Sequence, residues 1–314
     1  MRAALITEAG ASPVVEEREL PDPAEGEVTV TLEAASLNPV DLAIASGGFY
    51  AGHPPMPYVP AIEAVGRVEG DGRRVFVMGG GIGVVRDGTS AERFNAPESA
   101  LVEIGDDADA ATAAALGTAA LAGWLPITWT AKLQPGETAL VLGATGAAGS
   151  IAVQAARIAG AARIVAAGRN PERLAALEGM ADAVVSLEGD NLAARMQAAC
   201  EGGAHVVFDA LWGAPLQAAL TATALGARVI HIGQAAGDTA TVASGLVRGK
   251  QLTIKGYSNF GIPRAELVSA YLTMVDLATA GELTLPVVTT PLADAGSAWA
   301  GVAAGGGKQV LISG

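Results

Sequence analysis

The sequence has few of the residues that a nucleic-acid-binding or disulfide-rich protein needs. Its 314 residues include a single cysteine, Cys200, so the chain forms no internal disulfide and no cysteine-rich zinc knuckle. Basic residues are also scarce, with 19 Lys and Arg against 32 Asp and Glu, for a net charge of −13. A chain of this charge is repelled by phosphate backbones and by anionic lipid headgroups. We therefore expect no nucleic-acid partner and no membrane partner.

Long uncharged hydrophobic runs are missing as well, with one apparent exception. Residues 110–129 carry no charge and reach the length of a membrane span. The segment is mostly Ala, Gly and Thr, which contribute little transfer free energy, and Pro126 interrupts it. We therefore predict a pair of buried helices here. Because Arg2 and Glu8 bring charge too early for a signal peptide, we expect a cytoplasmic location.

The residues that are abundant indicate a globular chain with two domains. Hydrophobic residues make up 51% of the sequence and charged residues 16%, with 41 glycines. Up to about Ile104, short alternating or β-branched runs between Pro and Gly clusters predict strands. These runs are Ala3–Thr7, Val28–Ala34, Ala64–Glu69 and Arg74–Val77. This region is therefore predicted to be mostly β.

The rhythm of the sequence changes from about Thr138. Short apolar runs now alternate with helix-length segments, the pattern of a parallel, doubly wound sheet. The runs are Thr138–Leu142, Arg163–Ala167, Ala183–Ser186, His205–Phe208, Arg228–Ile232 and Leu252–Lys255. After about Leu285 the pattern returns to β, and a final strand, Lys308–Ile312, is expected to complete the N-terminal domain. The fold class is thus α/β, with the doubly wound domain inserted in a mostly β domain.

The clearest local signal is a glycine-rich turn after the first of these apolar runs. Gly143, Gly146 and Gly149 separate the strand ending at Leu142 from a helix that runs through Ile158. Such a turn provides positive φ, close backbone approach to a pyrophosphate and tight helix packing, while the helix N-terminus offers free N–H groups. The spacing GxxGxxG is weak by itself, and a glycine-rich turn without a ligand is the alternative. The surrounding strands favour dinucleotide binding.

The end of the second run in the doubly wound region indicates which dinucleotide. An acid at this point binds the ribose 2′-hydroxyl in NAD-selective sites, but no Asp or Glu occurs between Glu137 and Glu172. The sequence instead has Gly168, Arg169 and Asn170, with Arg173 one helical turn later. A small residue and an arginine suit an added 2′-phosphate. NADPH is therefore the expected cofactor, with ordinary surface arginines as the alternative.

These residues resemble the medium-chain dehydrogenase/reductase superfamily, and within it the zinc-independent quinone oxidoreductase-like branch. The resemblance covers nearly the whole chain, and its segments occur in the family's order. It implies a GroES-like catalytic domain made of residues 1–115 and 285–314, a Rossmann NADPH-binding domain of residues 116–284, and an active site in the cleft. The segments that carry it are Met1–Ala4, Ser36–Asp41, Gly47–Tyr50, Tyr58–Gly66 and Leu133–Thr138.

The resemblance also identifies where zinc-dependent relatives carry their ligands. The matching positions hold Asn38, Ile62 and Ala114, so neither a catalytic nor a four-cysteine structural zinc is expected. Ala61 stands where this branch usually has a glycine, which makes the turn geometry there an open question.

Asn38, Tyr50 and Asp41 are the candidate catalytic residues. The resemblance favours Asn38 and Tyr50 for contact with substrate or nicotinamide. Each has a structural alternative: Asn38 and Asp41 can cap a helix at Pro39, and Tyr50 can be an exposed loop aromatic. Glu63, also near the expected nicotinamide, reads otherwise as a surface strand residue. His231 reads as a structural histidine.

The expected cofactor contacts come from the strand ends and the glycine turn. They are Thr118, Gly143, Thr145, Gly146, Ala147, Ala148, Gly149, Gly168, Arg169, Asn170, Arg173, Ile232, Gly233, Gln234, Asn259 and Phe260.

The predicted function is hydride transfer from NADPH to a quinone or an α,β-unsaturated carbonyl. An enoyl-thioester reductase and a low-turnover NADPH-binding structural or regulatory protein are the alternatives. We also expect a homodimer that pairs the edge strand Gln251–Lys255 with its twin.

Overall fold

The computed structural model describes residues 1–314. The chain divides into two compact units, one made of Met1–Ala119 and Tyr271–Gly314 and the other of Ala120–Ala270. The strands, in chain order, are β1 Arg2–Leu5, β2 Val14–Glu17, β3 Glu27–Ser36, β4 Glu63–Val68, β5 Arg74–Met78, β6 Arg93–Pro97, β7 Leu101–Glu103, β8 Thr138–Leu142, β9 Arg163–Gly168, β10 Ala183–Ser186, β11 Ala204–Asp209, β12 Thr223–His231, β13 Thr253–Gly256, β14 Val287–Pro291 and β15 Lys308–Ile312. The helices are α1 Pro39–Ala45, α2 Ala110–Ala115, α3 Thr118–Leu125, α4 Ala147–Ile158, α5 Pro171–Ala175, α6 Leu192–Ala199, α7 Gly213–Thr221, α8 Ser244–Lys250, α9 Arg264–Thr279 and α10 Ala295–Ala303.

The unit Ala120–Ala270 contains a six-stranded, fully parallel sheet. Its strand order is β10-β9-β8-β11-β12-β13, so the winding reverses between β8 and β11. This is the strand order of a dinucleotide-binding doubly wound sheet, whose ligands lie beyond the carboxyl ends of the strands at the reversal. The predicted fold class is confirmed. All six predicted strands are present, and the largest difference is β12, which begins at Thr223 rather than Arg228.

The other unit is built on a seven-stranded mixed sheet. Its strand path is β14-β15-β3-β4-β5-β7, and β6 pairs with β3. The C-terminal strand β15 runs antiparallel to β3, with Val310 opposite Ser36, so the last strand does join the N-terminal sheet as expected. Strand β3 has a bulge between Leu32 and Ala34 where it pairs with β4. On β4, a Cβ at Gly66 would lie 2.3 Å from the Thr31 carbonyl oxygen, so the two strands approach too closely there for a side chain.

Three strands of the N-terminal part of this unit lie outside the predicted runs. They are β2, β6 and β7, with the sequences VVEE, RFNAP and LVE. Each is short and mixes charged or proline residues with few apolar ones, so neither alternation nor a β-branched run marks it. β6 and β7 pair with the more distant strands β3 and β5, while β2 pairs with β1.

The uncharged segment 110–129 forms two helices, as predicted. Helix α2 begins after the N-cap Asp109, whose carboxylate accepts a hydrogen bond from the Thr112 N–H. Helix α3 follows and continues into a π-helical turn at Pro126–Thr130. No helix in the chain has the length and apolar character that crossing a membrane requires.

Candidate active site

The glycine turn lies at the carboxyl end of β8, at the reversal of the sheet. Gly143 has φ +80°, which favours glycine, and Gly146 precedes α4 as its N-cap. A Cβ at Gly149 would lie 2.1 Å from the Gly143 carbonyl oxygen, so only glycine lets α4 pack this closely on the turn. The N–H groups of the first turn of α4, at Ala147 and Ala148, have no acceptor within the helix. This arrangement suits an anion that approaches the N-terminus of α4.

Position 146 differs from position 149 in an instructive way. A Cβ at Gly146 would meet only the Gly143 carbonyl oxygen, at 3.5 Å, which is an ordinary contact. The backbone φ of Gly146 is −87°, a value that any residue adopts. The protein itself therefore does not require glycine at 146. Close approach of a ligand to the backbone is a sufficient reason for one.

Position 168, at the end of β9, is crowded by neighbouring side chains. A Cβ at Gly168 would lie 2.7 Å from Cγ2 of Thr145 and 3.2 Å from a side-chain carbon of Leu174. Asn170 caps α5, and its Oδ1 accepts a hydrogen bond from the Arg173 N–H at 2.9 Å. The exposed Arg169 guanidinium forms no ion pair in the chain. Two arginines thus stand on the first turn beyond β9 with no carboxylate where the ribose acid would be.

The ends of β11 and β12 are joined by the buried carboxylate of Asp209. Its Oδ1 accepts hydrogen bonds from the N–H groups of Leu211 and Trp212, at 3.0 and 2.9 Å. Its Oδ2 lies 2.9 Å from Nδ1 of His231, and the ring of Trp212 packs on the imidazole. His231 thus has the partner that a structural histidine requires, although its side chain is partly exposed. The Ile232 N–H also donates to the Asp209 carbonyl, which places Ile232, Gly233 and Gln234 directly beyond this junction.

The predicted contacts after β13 form a short 3-10 turn. Asn259 and Phe260 lie in the turn 259–261, and Oδ1 of Asn259 accepts a hydrogen bond from the Tyr257 hydroxyl at 2.7 Å. Phe260 is exposed. These residues stand at the same edge of the sheet as Ile232, because β13 runs parallel to β12.

In the other unit, Asn38 and Asp41 open helix α1. The Asn38 backbone N–H donates to Oδ2 of Asp41 at 2.7 Å. Asp41 therefore caps the first turn of α1, which is the structural role given above as its alternative. Both side chains are buried, with Asn38 2% exposed. Burial raises the pKa of Asp41 to about 7, the nearby Glu63 adds to the rise, and the Asn38 N–H and the Lys308 charge oppose it.

Asn38 belongs to a buried polar cluster that we call the Lys308 cluster: Lys308, Asn38, Glu63 and Thr118. Nδ2 of Asn38 donates to Oε1 of Glu63 at 2.8 Å, and Nζ of Lys308 donates to Oδ1 of Asn38. Oε2 of Glu63 accepts from both the backbone N–H and the hydroxyl of Thr118, each at 2.6 Å. Glu63 is 0% exposed, so its alternative as a surface residue is wrong. The cluster connects the predicted contacts Asn38 and Thr118 through charged residues.

Lys308 is the member of this cluster that sequence reasoning missed. It is the first residue of β15 and is 4% exposed, and its Nζ lies 3.7 Å from Oε1 of Glu63. Burial lowers the pKa of the Lys308 ammonium, while Glu63 and Asp41 oppose the shift. The only local signal in the sequence is a lysine at the start of an apolar strand. A lysine at such a position is ordinarily exposed to solvent, so this signal does not indicate burial.

Tyr50 stands apart from the Lys308 cluster. It lies in the turn after α1, is 78% exposed, and packs at 4.2 Å against the ring of Phe49. A different tyrosine, Tyr58, is buried, and burial and the nearby Asp41 raise its pKa to about 12. The structure therefore brings Asn38 and Asp41 together and leaves Tyr50 on an exposed loop.

The turn before β4 keeps a glycine-like geometry without glycine. Ala61 has φ +75°, and its carbonyl oxygen accepts a hydrogen bond from the Thr89 N–H at 3.0 Å. A Cβ at Gly88 would lie 2.2 Å from the same oxygen, so the neighbouring loop fixes the Ala61 backbone. The substitution of alanine for the expected glycine therefore leaves the turn in place, with some backbone strain.

The three positions that match zinc ligands supply no ligand set. Asn38 is engaged by Lys308 and Glu63, while Ile62 and Ala114 are buried apolar side chains. No group of three or more His, Cys, Asp and Glu anywhere in the chain is arranged to hold a metal ion. The residues present do not fit a catalytic zinc. Cys200 is likewise buried at the end of α6, where burial raises the pKa of its thiol to about 11.

Comparison with known proteins agrees with this architecture. Residues 24–133 match the family described as the alcohol dehydrogenase GroES-like domain, and residues 147–278 match the zinc-binding dehydrogenase family. The chain is 31% identical over 265 residues to the mouse (Mus musculus) quinone oxidoreductase-like protein 2, covering 81% of this chain and 74% of that protein. It is 29% identical over 241 residues to the quinone oxidoreductase of Lama guanicoe, covering 74% and 73% of the two chains.

A solved structure of similar size shows the same fold. The quinone oxidoreductase from Thermus thermophilus, described with its NADPH complex, is 29% identical with a TM-score of 0.82 and covers 99% of this chain and 100% of that chain. The protein is thus an oxidoreductase with GroES-like and Rossmann domains, in the medium-chain dehydrogenase/reductase superfamily. Within that superfamily it belongs to the quinone oxidoreductase-like branch.

Proposed function

We propose that the protein reduces quinones or α,β-unsaturated carbonyl compounds with NADPH and without zinc. The observation that carries the proposal is the content of the three zinc-ligand positions, an engaged amide and two buried apolar side chains. Without a metal to polarise a simple carbonyl, hydride transfer needs a substrate that is already electrophilic. Conjugated enones, enals and quinones meet that need. The quinone oxidoreductase names of the relatives point to the same class.

The residues beyond β8 and β9 support NADPH as the cofactor. The N-terminus of α4 and the open backbone at Gly146 suit the pyrophosphate. Gly168 carries no side chain at a crowded position, and Arg169 offers an exposed guanidinium that can bind a 2′-phosphate through two N–H groups. Thr145, Asn170 and Arg173 flank this position. The family's NADPH complex shows that a relative binds this dinucleotide.

When bound, the reduced nicotinamide supplies the hydride. The chain's own residues then stabilise the negative charge that develops on the enolate or hydroquinone oxygen. In this proposal the Asn38 side-chain N–H, the Tyr50 hydroxyl or backbone N–H groups donate hydrogen bonds to that oxygen. The proton that completes the reduction comes from solvent or from Tyr50. Glu63 holds Thr118 by both of its donors, which fixes the start of α3 against the Lys308 cluster.

A substrate panel tests the proposal directly. Stopped-flow mixing of the NADPH-loaded protein with quinones, enones, enals, enoyl thioesters and simple ketones gives the rate of NADPH oxidation for each class. Mixing of the NADP⁺-loaded protein with simple alcohols gives the rate of NADP⁺ reduction. Fast turnover of quinones or enones, with NADPH bound more tightly than NADH, is the expected result. Fast oxidation of simple alcohols with no reaction of any quinone or enone would overturn it. Preference for enoyl thioesters, or tight NADPH binding without turnover, would select one of the two alternatives.

We also propose a homodimer that pairs β13 with its symmetry mate. This strand is the edge of the six-stranded sheet, and its N–H and C=O groups on one side have no partner strand in the chain. Light scattering at micromolar concentration should give twice the chain mass. A monomeric mass would contradict the proposal.

A further inference from the structure

The register between β15 and β3 places a buried lysine beside a candidate catalytic amide. Val310 lies opposite Ser36 in this antiparallel pair, so Lys308, two residues before Val310, reaches the segment that carries Asn38, two residues after Ser36. Nζ of Lys308 donates to the Leu37 carbonyl at 3.2 Å and to Oδ1 of Asn38, although the two residues are 270 positions apart. The ammonium is therefore committed to one end of the Asn38 side chain.

The other end of the Asn38 side chain faces a carboxylate. Nδ2 of Asn38 donates to Oε1 of Glu63 at 2.8 Å. A side-chain amide has an oxygen that only accepts and a nitrogen that only donates, and its two orientations are distinguished by the groups around it. A flipped Asn38 would turn its oxygen toward the Glu63 carboxylate and its nitrogen toward the Lys308 ammonium. Both contacts would then be repulsive, in surroundings with little water to screen them.

We propose that Lys308 is a positioning residue that holds the Asn38 amide in one orientation and thereby leaves an N–H, not a carbonyl oxygen, for a ligand. This inference rests on the proposed function of Asn38 as a donor to the product oxygen. Nδ2 carries two hydrogens, and the Glu63 contact accounts for one of them. The second is the donor that the developing enolate or hydroquinone oxygen requires. Lys308 itself acts only through Asn38.

The experiment has to distinguish this positioning role from a purely structural role of Lys308. Its ammonium lies 3.7 Å from Oε1 of Glu63, and removing one partner of a buried ion pair destabilises a protein. The first variant is Lys308→Met, which keeps the length of the side chain and removes its charge. Lys308→Met with Glu63→Gln removes both charges and supplies a folded form if the single variant unfolds. Lys250→Met is the matched control, because Nζ of Lys250 also donates to two carbonyl oxygens, those of Thr221 and Thr223.

The kinetic test is a double-variant cycle between Lys308 and Asn38. We expect Lys308→Met to lower kcat for the best quinone or enone by about 10- to 100-fold, since a single misaligned donor costs that much or more. The dissociation constant of NADPH should stay within about threefold. In an Asn38→Ala background, Lys308→Met should cause no further loss of kcat. An equal loss in both backgrounds, or wild-type kcat in Lys308→Met, would overturn the proposal.

A second measurement does not depend on turnover. The side-chain amide of Asn38, assigned in a ¹⁵N-correlated NMR spectrum by its loss in Asn38→Ala, should give two distinct and slowly exchanging N–H signals. In Lys308→Met these signals should shift and broaden, whereas Lys250→Met should leave them unchanged. Unchanged Asn38 signals in Lys308→Met would overturn the orientation argument even if no substrate is turned over. Absence of turnover in the wild type, with the spectral change present, would instead count against the proposed function alone.

Discussion

The glycine turn of the Ala120–Ala270 unit is formed by backbone groups, whereas the Lys308 cluster of the other unit is formed by side chains. The turn consists of backbone and small residues within residues 143–149, and its proposed anion-binding groups are N–H groups of a helix N-terminus. The Lys308 cluster consists of buried charged and amide side chains from four separate segments of the chain. The first kind of site is encoded locally. The second exists only after the mixed sheet has formed.

The largest effect expected on the local site comes from a single methyl group. Gly149→Ala would place Cβ 2.1 Å from the Gly143 carbonyl oxygen and 2.7 Å from Cα of Ala144, both backbone atoms. Helix α4 and the turn would have to separate, so we expect a loss of about 2–4 kcal/mol in the free energy of unfolding, measured in urea. A variant as stable as the wild type would show that the turn yields more easily than its geometry indicates.

Gly146→Ala is the matched control for that experiment. Its Cβ would meet only an ordinary contact, so the free energy of unfolding should change by less than about 1 kcal/mol. Affinity for NADPH should nevertheless fall at least about tenfold, because the methyl group stands where the proposed pyrophosphate approaches. Calorimetric titration measures this directly. Equal NADPH affinity in Gly146→Ala and the wild type would move the pyrophosphate away from this turn.

The next effect concerns the choice of dinucleotide. Arg169→Ala should weaken NADPH binding by about 10- to 100-fold, because an arginine bound to phosphate contributes about 1.5–3 kcal/mol, and should leave NADH binding nearly unchanged. Arg248→Ala, which removes another exposed arginine from the same unit, should affect neither. Equal affinity of the wild-type protein for the two cofactors would contradict the 2′-phosphate assignment.

Sequence reasoning located the strands and the glycine turn of the Ala120–Ala270 unit for a physical reason. Each of the six parallel strands is a local apolar run, and the turn after β8 has its glycines at local spacing, so the positions of the strands and of the turn follow from neighbouring residues. The identities of the bound groups stay predictions. In the other unit, the burial of Glu63 and Lys308 could not be predicted, since it depends on pairing between β15 and β3 across most of the chain. Both residues are charged, which by itself indicates a surface position.

A pH experiment sharpens the contrast, because Asp41, which accepts a hydrogen bond from the Asn38 N–H beside the Lys308 cluster, is a buried carboxyl of raised pKa. Burial raises the pKa of Asp41 from 3.8 to about 7, with Glu63 adding to the shift and Lys308 opposing it. Between these values the folded protein binds more protons than the unfolded chain, so stability falls as pH rises.

Asp41→Asn should remove this dependence. The free energy of unfolding of the wild type, measured relative to that of Asp41→Asn, should therefore fall by about 1 kcal/mol per pH unit between pH 5 and pH 7. In Asp106→Asn the lost carboxyl is exposed and its pKa is lowered by Arg67, so the slope in this range should match the wild type. Parallel profiles for wild type and Asp41→Asn would show that Asp41 ionises at its ordinary pKa.

The smallest effect is expected at Ala61, where a local sequence rule meets tertiary constraint. A positive φ at a residue other than glycine costs about 1–2 kcal/mol, so glycine would relieve strain at the observed φ of +75°. Glycine would also remove a buried methyl group, worth about 0.8 kcal/mol, and add freedom to the unfolded chain, worth about 0.4–1 kcal/mol. These contributions nearly cancel, so Ala61→Gly should change the free energy of unfolding by less than about 1 kcal/mol.

Ala61→Val should destabilise by more than about 2 kcal/mol, because a β-branched side chain adds both strain and volume. Urea unfolding of the two variants side by side decides the matter, and a loss above about 2 kcal/mol in Ala61→Gly would mean that methyl packing, not backbone strain, governs this turn.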